Sequence, residues 1–314
     1  MNHVEVKLLG GGASKDLAAK ISDFYGEKLA NFDMQYFSDG EFQPIIHESV
    51  RGNYVFVIQS TMPPAQNLME LLMIVDANRR ASADYITAVI PYFGFARQDR
   101  KDRPRVAIGA KLVANLLVAA GVNRVMTMDL HAGQIQGFFD IPVDHLNSTA
   151  IFIPYLEKQK MSNLLFASPD VGSTKRTRVY SHHFETDFVI CDKHRKKANE
   201  VAEMILIGDV KGKNVILVDD LIDTAGTICK AADLIMEKGA KSVRAICTHA
   251  VLSGPAYERI EKSKLTELIV TDTIPLKQQS DKIKVLTVSG LFAKAIRNTH
   301  EHKSINSLFI TQSV

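Results

Sequence analysis

The sequence has few cysteines, no strong excess of either charge and no long apolar run, and each shortage narrows its function. Its three cysteines, Cys191, Cys229 and Cys247, are far apart, and no C-x-x-C pair occurs. That argues against a thiolate zinc site or a disulfide framework and points to small buried residues in a reducing compartment. Formal net charge is +3 over 314 residues, too mild to imply nucleic-acid binding from charge alone. The longest nearly apolar stretches, such as Leu112 to Ala120, are too short to span a bilayer, and Asn115 interrupts that one. Met1-Asn2-His3-Val4-Glu5 lacks the basic-then-apolar profile of a secretion signal, so a cytoplasmic protein with no membrane partner is expected. No low-complexity or glycine-rich linker divides the chain.

What is present reads as a soluble α/β protein. Hydrophobic residues make up 46% and charged residues 23%, a globular composition, and 314 residues exceed what one core usually serves. Short apolar runs alternate with helical spacing throughout. The repetition predicts two doubly wound domains, each a mostly parallel sheet flanked by helices, with a boundary near Asn147-Ser148-Thr149 that gives 1–147 and 148–314.

The richest stretch runs from Asn214 to Thr227. Val215 to Val218 reads as a strand buried on both faces, ended by Asp219 and Asp220. Asp223 opens a loop of small and hydroxyl residues, Thr224-Ala225-Gly226-Thr227. Ile228, Ala231, Ala232, Ile235 and Met236 then have helical spacing. Such a loop lets backbone amides approach a phosphate, helped by the positive end of the helix dipole. The carboxylates suit sugar hydroxyls, or a metal that itself touches phosphate. Together they describe a sugar-phosphate site. A simple capped turn would not need three carboxylates and two threonines within nine residues.

Other strand ends carry similar chemistry. Val125 to His131 reads as a strand ending in Asp129 and His131, and Asp129 could orient the imidazole. Leu164 to Ala167 leads into Ser168-Pro169-Asp170 and a small-residue loop before a helix. Tyr85 to Ile90 is followed by Pro91-Tyr92-Phe93-Gly94-Phe95-Ala96 and then five basic residues between Arg97 and Arg105. That arm is either a solvated loop or a clamp for a polyphosphate with aromatic rings near a base, and its place after a strand favours the clamp. Phe37-Ser38-Asp39-Gly40-Glu41 reads equally well as a hairpin turn or a binding turn. Cys191 to Lys197 reads by charge as a solvated loop. The run Gly10-Gly11-Gly12-Ala13-Ser14-Lys15 lacks the P-loop spacing, and Ser14 is expected to cap a helix through Leu17, Ala18, Ile21 and Tyr25. The methionines between Asn67 and Arg80 are expected in the core.

With these pieces assembled, the sequence closely resembles the ribose-phosphate diphosphokinases, or PRPP synthetases, over nearly its whole length. The resemblance rests on Phe37 to Glu41, Pro91 to Lys101, Asp129-Leu130-His131 with Gln134 to Phe139, Ser168-Pro169-Asp170, and Val218 to Thr227. It implies two domains of phosphoribosyltransferase type facing each other across an active site. The implied reaction transfers the diphosphoryl group of ATP to the anomeric hydroxyl of ribose 5-phosphate, giving PRPP and AMP for nucleotide biosynthesis. By the resemblance, Phe37, Asp39, Gly40, Glu41, Arg97 and Gln98 bind ATP, and His131 and Asp170 hold Mg2+. Asp219 and Asp220 take the ribose hydroxyls, and Asp223, Thr224, Ala225, Gly226 and Thr227 take the 5-phosphate. Lys193 and Arg195 match a catalytic basic pair on a flexible loop, with Arg195 also reaching ribose 5-phosphate.

The resemblance also implies a homohexamer, activated by inorganic phosphate and inhibited by ADP, with Ser49, Arg51, Gln136, Asp144 and Ser304 at the regulatory positions. Two departures stand out. Asp170 is followed by Val171-Gly172-Ser173-Thr174 where many relatives carry a glycine pair, and Asn306 stands where relatives often carry serine. Two rival expectations remain: a non-catalytic regulatory subunit of the same fold, and a phosphoribosyltransferase that consumes PRPP.

Overall fold

The computed structural model describes residues 5–194 and 203–310, and the side chains of Lys193, His194 and Glu203 fall outside that description. The chain forms two compact units. One comprises residues up to Ser148 with Thr273–Pro275 and Thr287–Phe309, and the other comprises Thr149–Asp272 and Leu276–Leu286. The division is therefore not the single cut at residue 147 expected from the strand–helix repeat. The helix Ser289–His300 returns to the first unit, where Arg297 lies over the Tyr25 ring at 5.1 Å and bonds the Tyr25 carbonyl. Sequence periodicity shows that this helix exists but not which sheet its apolar face covers.

In the first unit, β1 (Val6–Gly10) leads through α1 (Lys15–Tyr25) to an antiparallel hairpin of β2 (Phe32–Tyr36) and β3 (Phe42–Ile46). Then follow β4 (Tyr54–Ile58), α2 (Gln66–Arg80), β5 (Tyr85–Ile90), α3 (Gly109–Ala120), β6 (Arg124–Met128) and β7 (Val143–Leu146). The main sheet is parallel with order β1-β4-β5-β6-β7, running in one direction. Its inner strands β4 and β5 are almost wholly apolar without alternation because both faces are covered. Val55, Val57, Ala88 and Ile90 share a core with Leu71 and Ile74 of α2 and Val113 and Leu117 of α3. Met69 does not join that core. It is 50% exposed, because the apolar stretch in α2 is wider than the face the sheet can cover.

The second unit begins with α4 (Thr149–Gln159), β8 (Leu164–Ser168), α5 (Thr174–His183), β9 (Phe188–His194) and β10 (Glu203–Ile207). It continues with β11 (Asn214–Ile222), α6 (Gly226–Glu237), β12 (Ser242–Ala250), α7 (Ala256–Lys262), β13 (Glu267–Thr271) and β14 (Ile283–Leu286). Sheet order is β10-β9-β8-β11-β12-β13-β14, parallel except for β9 against β10. From β8 the chain winds outward to β9 and β10, and from β11 it winds the other way. The boundary between β8 and β11 is thus a topological switch point, where open α/β sheets bind ligands at their carboxyl ends.

The run Val215–Val218 is buried on both faces, as expected. Val215 and Leu217 pack with Ile228, Ala232 and Ile235 of α6, while Ile216 and Val218 pack with Phe152 and Leu156 of α4 and Tyr180 of α5. Each such side chain contributes about 2 kcal/mol of burial. All three cysteines are free and buried, and burial pushes the Cys191 thiol up to about 12. One expectation for this region changes. Cys191 to His194 continue β9, with Cys191 in the core, because pairing with β10 carries the strand past Ile190. Ile205 and Ile207 are 45% and 55% exposed, because β10 lies at the edge of the sheet.

Candidate functional site

The acidic strand end is built by β8 and β11, whose last paired residues are Ala167 and Leu217. Beyond that pair, Ser168–Asp170 and Val218–Asp220 leave side by side at the switch point. β11 does not stop at Val218 but carries Asp219 and Asp220 within the strand. Asp220 is 5% exposed and bonded by Arg176 Nη1 of α5 at 2.9 Å. Asp219 Oδ1 accepts from the Ser173 hydroxyl at 2.8 Å and from the Asp220 amide at 2.9 Å. Burial, then the neighbouring charge of Asp220, pushes the Asp219 carboxyl up to about 7, and the Ser173 bond opposes that rise. Asp170 Oδ1 accepts from the Ser173 amide at 2.9 Å.

The loop after β11 is held from outside itself. Asp223 takes the Ser253 hydroxyl on its carboxylate, and its carbonyl accepts the Ser253 amide at 2.9 Å. Its carboxylate thus braces the loop, leaving amides for a phosphate. Arg259 Nη1 donates to the Thr224 carbonyl at 2.9 Å. Ala225 adopts the left-handed conformation at φ 58 and is 4% exposed. A non-glycine residue there stores strain of order 1 kcal/mol, a cost common at ligand loops. Gly226 and Thr227 then start α6, so their amides lie in the unsatisfied first turn. A cavity of about 580 Å³ opens beside them, lined by Thr224, Gly226 and Thr227 as well as Lys230, Arg259 and Lys262.

The first unit holds the other predicted residues. Phe37, Asp39, Gly40 and Glu41 form the exposed turn between β2 and β3. The Phe37 amide donates to the Glu41 carbonyl, the Glu41 amide donates to Asp39 Oδ1 at 3.0 Å, and Gly40 sits at φ 95. The turn is therefore a closed hairpin that presents Phe37, 42% exposed, to solvent.

After β5 the chain turns at Gly94, whose amide donates to Thr61 Oγ1 at 2.7 Å. A Cβ there would lie 2.1 Å from the Thr61 carbonyl oxygen, so only glycine fits. Arg97 and Gln98 follow, both exposed, and the Gln98 carbonyl accepts the Ala110 amide of α3 at 3.2 Å. His131 is exposed beyond β6, and buried Asp129 accepts the Ser148 amide at 3.3 Å.

Of the regulatory candidates, Asp144 is 8% exposed and ion-paired with Arg124 at 2.7 Å, while Ser49, Arg51 and Gln136 are exposed. Ser304 Oγ accepts the Asn306 amide at 3.1 Å. Lys193 ends in the last residues of β9 with its side chain undescribed, and Arg195 lies outside the described residues.

The glycine run after β1 is not a phosphate cradle. The Gly12 amide donates to Glu70 Oε1 at 2.6 Å and the Ala13 amide to Gln59 Oε1 at 3.1 Å. Ser14 does precede α1, but its hydroxyl makes no cap bond and accepts the Ser60 amide at 2.8 Å instead. The residues that sequence reasoning did not assign to the site are Ser173, Arg176, Ser253 and Arg259. Each acts on a partner remote in sequence, so no local signal marks it.

Mostly parallel sheets in both units, and carboxylates that precede a helix N-terminus at a switch point, define an open α/β protein with a ligand site at a sheet edge. The profile of the N-terminal domain of ribose phosphate pyrophosphokinase matches residues 6–121, and that of the phosphoribosyl synthetase-associated domain matches residues 172–310. The ribose-phosphate pyrophosphokinase of Porphyromonas gingivalis is 54% identical over 98% of this chain and 99% of its own length. That of Campylobacter jejuni is 57% identical over 97% of this chain and 99% of its own. The crystal structure of phosphoribosylpyrophosphate synthetase from Mycobacterium smegmatis superposes with a TM-score of 0.90 at 37% identity, covering 95% of this chain and 99% of that one. The chain belongs to the ribose-phosphate pyrophosphokinase family.

Proposed function

We propose that this protein transfers the diphosphoryl group of ATP to the anomeric hydroxyl of ribose 5-phosphate, producing PRPP and AMP. The observation that carries the reading is the switch point of the second unit, in a chain 54% identical to a named pyrophosphokinase over 98% of its length. There, Asp219 and Asp220 stand beside the α6 N-terminus, an acceptor pair for sugar hydroxyls next to a donor cradle for phosphate. In this reading Asp219 and Asp220 take the ribose hydroxyls. The amides of Asp223 to Thr227 take the 5-phosphate. Phe37, Asp39, Gly40, Glu41, Arg97 and Gln98 take ATP.

Attack on the β-phosphorus is mainly a matter of alignment and charge neutralisation. Fixing ribose 5-phosphate at both ends restricts its anomeric hydroxyl to one line of approach. Lys193 and Arg195 neutralise charge on the transferring group. Among the described residues no three His, Cys, Asp or Glu side chains gather as a metal-binding group. Magnesium does not require such a cage, since it keeps several waters and takes one or two carboxylates plus substrate phosphates. Asp170 fits that need, partly exposed with one oxygen steadied by an amide. Asp170 and His131 would each serve as a magnesium ligand, the metal supplying charge to the polyphosphate oxygens.

The chain acts as a homo-oligomer, a hexamer by its family likeness, with inorganic phosphate as activator. Leu112 and Leu116, one turn apart on α3 and 56% and 39% exposed, support self-association. Among the described residues no helix is long and apolar enough to cross a membrane. The test is a product assay with ATP, Mg2+ and ribose 5-phosphate, run with and without inorganic phosphate. AMP appearing in step with PRPP is expected. ADP as product, or no ribose-dependent nucleotide turnover, would sink the reading.

A further inference from the structure

Ser173 stands immediately before α5, where a serine side chain ordinarily accepts an amide of the first turn. It makes no such bond. Its hydroxyl donates instead to Asp219 Oδ1 at 2.8 Å, across 46 residues of sequence, and its amide donates to Asp170 Oδ1 at 2.9 Å. Its carbonyl is fixed as well, accepting the Thr177 amide and hydroxyl, both at 3.0 Å. At 5% exposure little water competes for these groups. One residue has thus exchanged a helix cap for a bond to a neighbouring strand end.

The consequence falls on Asp219. Its Oδ1 takes two donors, the Ser173 hydroxyl and the Asp220 amide, and among the described residues no hydrogen bond is made to Oδ2. A carboxylate has about four lone-pair sites. With Oδ1 engaged, the carboxylate plane is set and the sites on Oδ2 remain for an incoming donor. Without the hydroxyl, Oδ1 would keep one donor from its own strand, and the broad torsion at the end of the aspartate would no longer be held.

We propose that Ser173 is a positioning residue for the sugar: its hydroxyl sets the Asp219 carboxylate so that Oδ2 is free to accept a ribose hydroxyl, and its amide ties the same geometry to Asp170. The proposal rests on the reading of Asp219 as a ribose-hydroxyl acceptor.

The experiment compares Ser173→Ala, Ser173→Gly, Ser173→Thr and Asp219→Asn in the full-length protein. Ribose 5-phosphate binding is measured by calorimetry, together with KM for each substrate, kcat and thermal melting. Ser173→Ala and Ser173→Gly are expected to weaken ribose 5-phosphate binding about fivefold, as suits a lost hydrogen bond to a charged group. The ATP KM and melting temperature should stay close to those of the parent, and Ser173→Thr should restore sugar affinity. If Asp219→Asn weakens sugar binding while Ser173→Ala does not, the proposal fails and the sugar site stands. If Asp219→Asn leaves sugar binding intact, the site reading fails and takes the proposal with it. Equal losses of ATP and sugar affinity with a lowered melting temperature would mark Ser173 as merely structural and overturn the proposal.

Discussion

Asp219 and Asp220 are adjacent on β11 and unequally compensated. Arg176 pairs with Asp220 at 2.9 Å, whereas among the described residues Asp219 is hydrogen-bonded by a hydroxyl and an amide, and its carboxyl is pushed from 3.8 to about 7 by burial and by its neighbour's charge. A carboxyl with a raised folded-state pKa favours the fold fully below its unfolded value, near 3.8, and loses that contribution as pH rises through about 7. Asp219→Asn should therefore stabilise the ligand-free protein at pH 8 by about 2 kcal/mol, with the gain fading toward pH 5. The same variant should bind ribose 5-phosphate poorly. Chemical denaturation at the two pH values, without magnesium, checks it. A gain independent of pH would show that ionisation of Asp219 carries no strain.

Arg176 answers the opposite charge state. Removing it leaves Asp220, 5% exposed, as a buried carboxylate without its ion-pair partner. Arg176→Met should destabilise the protein by about 3 kcal/mol, since breaking a buried pair costs more than replacing both members. Arg176→Met combined with Asp220→Asn should recover much of that loss. A double-mutant cycle read by denaturant melts measures the coupling, and strict additivity would rule out the pairing as a stabilising contact.

What could be read in advance follows from the range of each cause. Val215 to Val218 announce a strand buried on both faces because the requirement is local and repeats at every residue. The acids at its end are legible for the same reason. Ser173, Arg176 and Arg259 are not, since their partners lie 46, 44 and 35 residues away and only the folded chain brings them together. The strand Val143–Leu146 has four residues, too few to show a period, and Pro154 inside Thr149–Gln159 hides a helix. The Gly10–Gly12 run is legible by its spacing, which is not that of a P-loop, and the fold agrees: Glu70 and Gln59 take the Gly12 and Ala13 amides.

That last contact is separable from catalysis. Glu70 is 7% exposed, and its Oε1 accepts the Gly12 amide at 2.6 Å. Glu70→Ala removes a charge-assisted bond and strands a backbone donor. It should lower stability by about 2 kcal/mol while leaving the ATP KM unchanged. Melting curves and steady-state kinetics decide the matter. A raised ATP KM at unaltered stability would make the glycine run a phosphate-binding loop and overturn this reading.

Arg259 tests whether the phosphate loop is shaped from behind. Its Nη1 donates to the Thr224 carbonyl at 2.9 Å, and the same nitrogen lies 3.3 Å from where a Cβ on Gly226 would stand. The guanidinium therefore borders the loop between Asp223 and α6, turning one carbonyl outward just where amides must face a phosphate. Ser253 performs a matching task on Asp223. Arg259→Ala should loosen the loop without touching the ATP side or the carboxylate pair. The expected result is a rise of about fivefold in the KM for ribose 5-phosphate, with kcat and the ATP KM near parental values, as suits one hydrogen bond at a partly solvated position. Arg259→Lys should rescue only in part, because an ammonium reaches the carbonyl without the planar fork that fixes its direction. A fall in kcat with unchanged KM would mean that Arg259 acts on the transferring group instead, and the bracing role would be wrong.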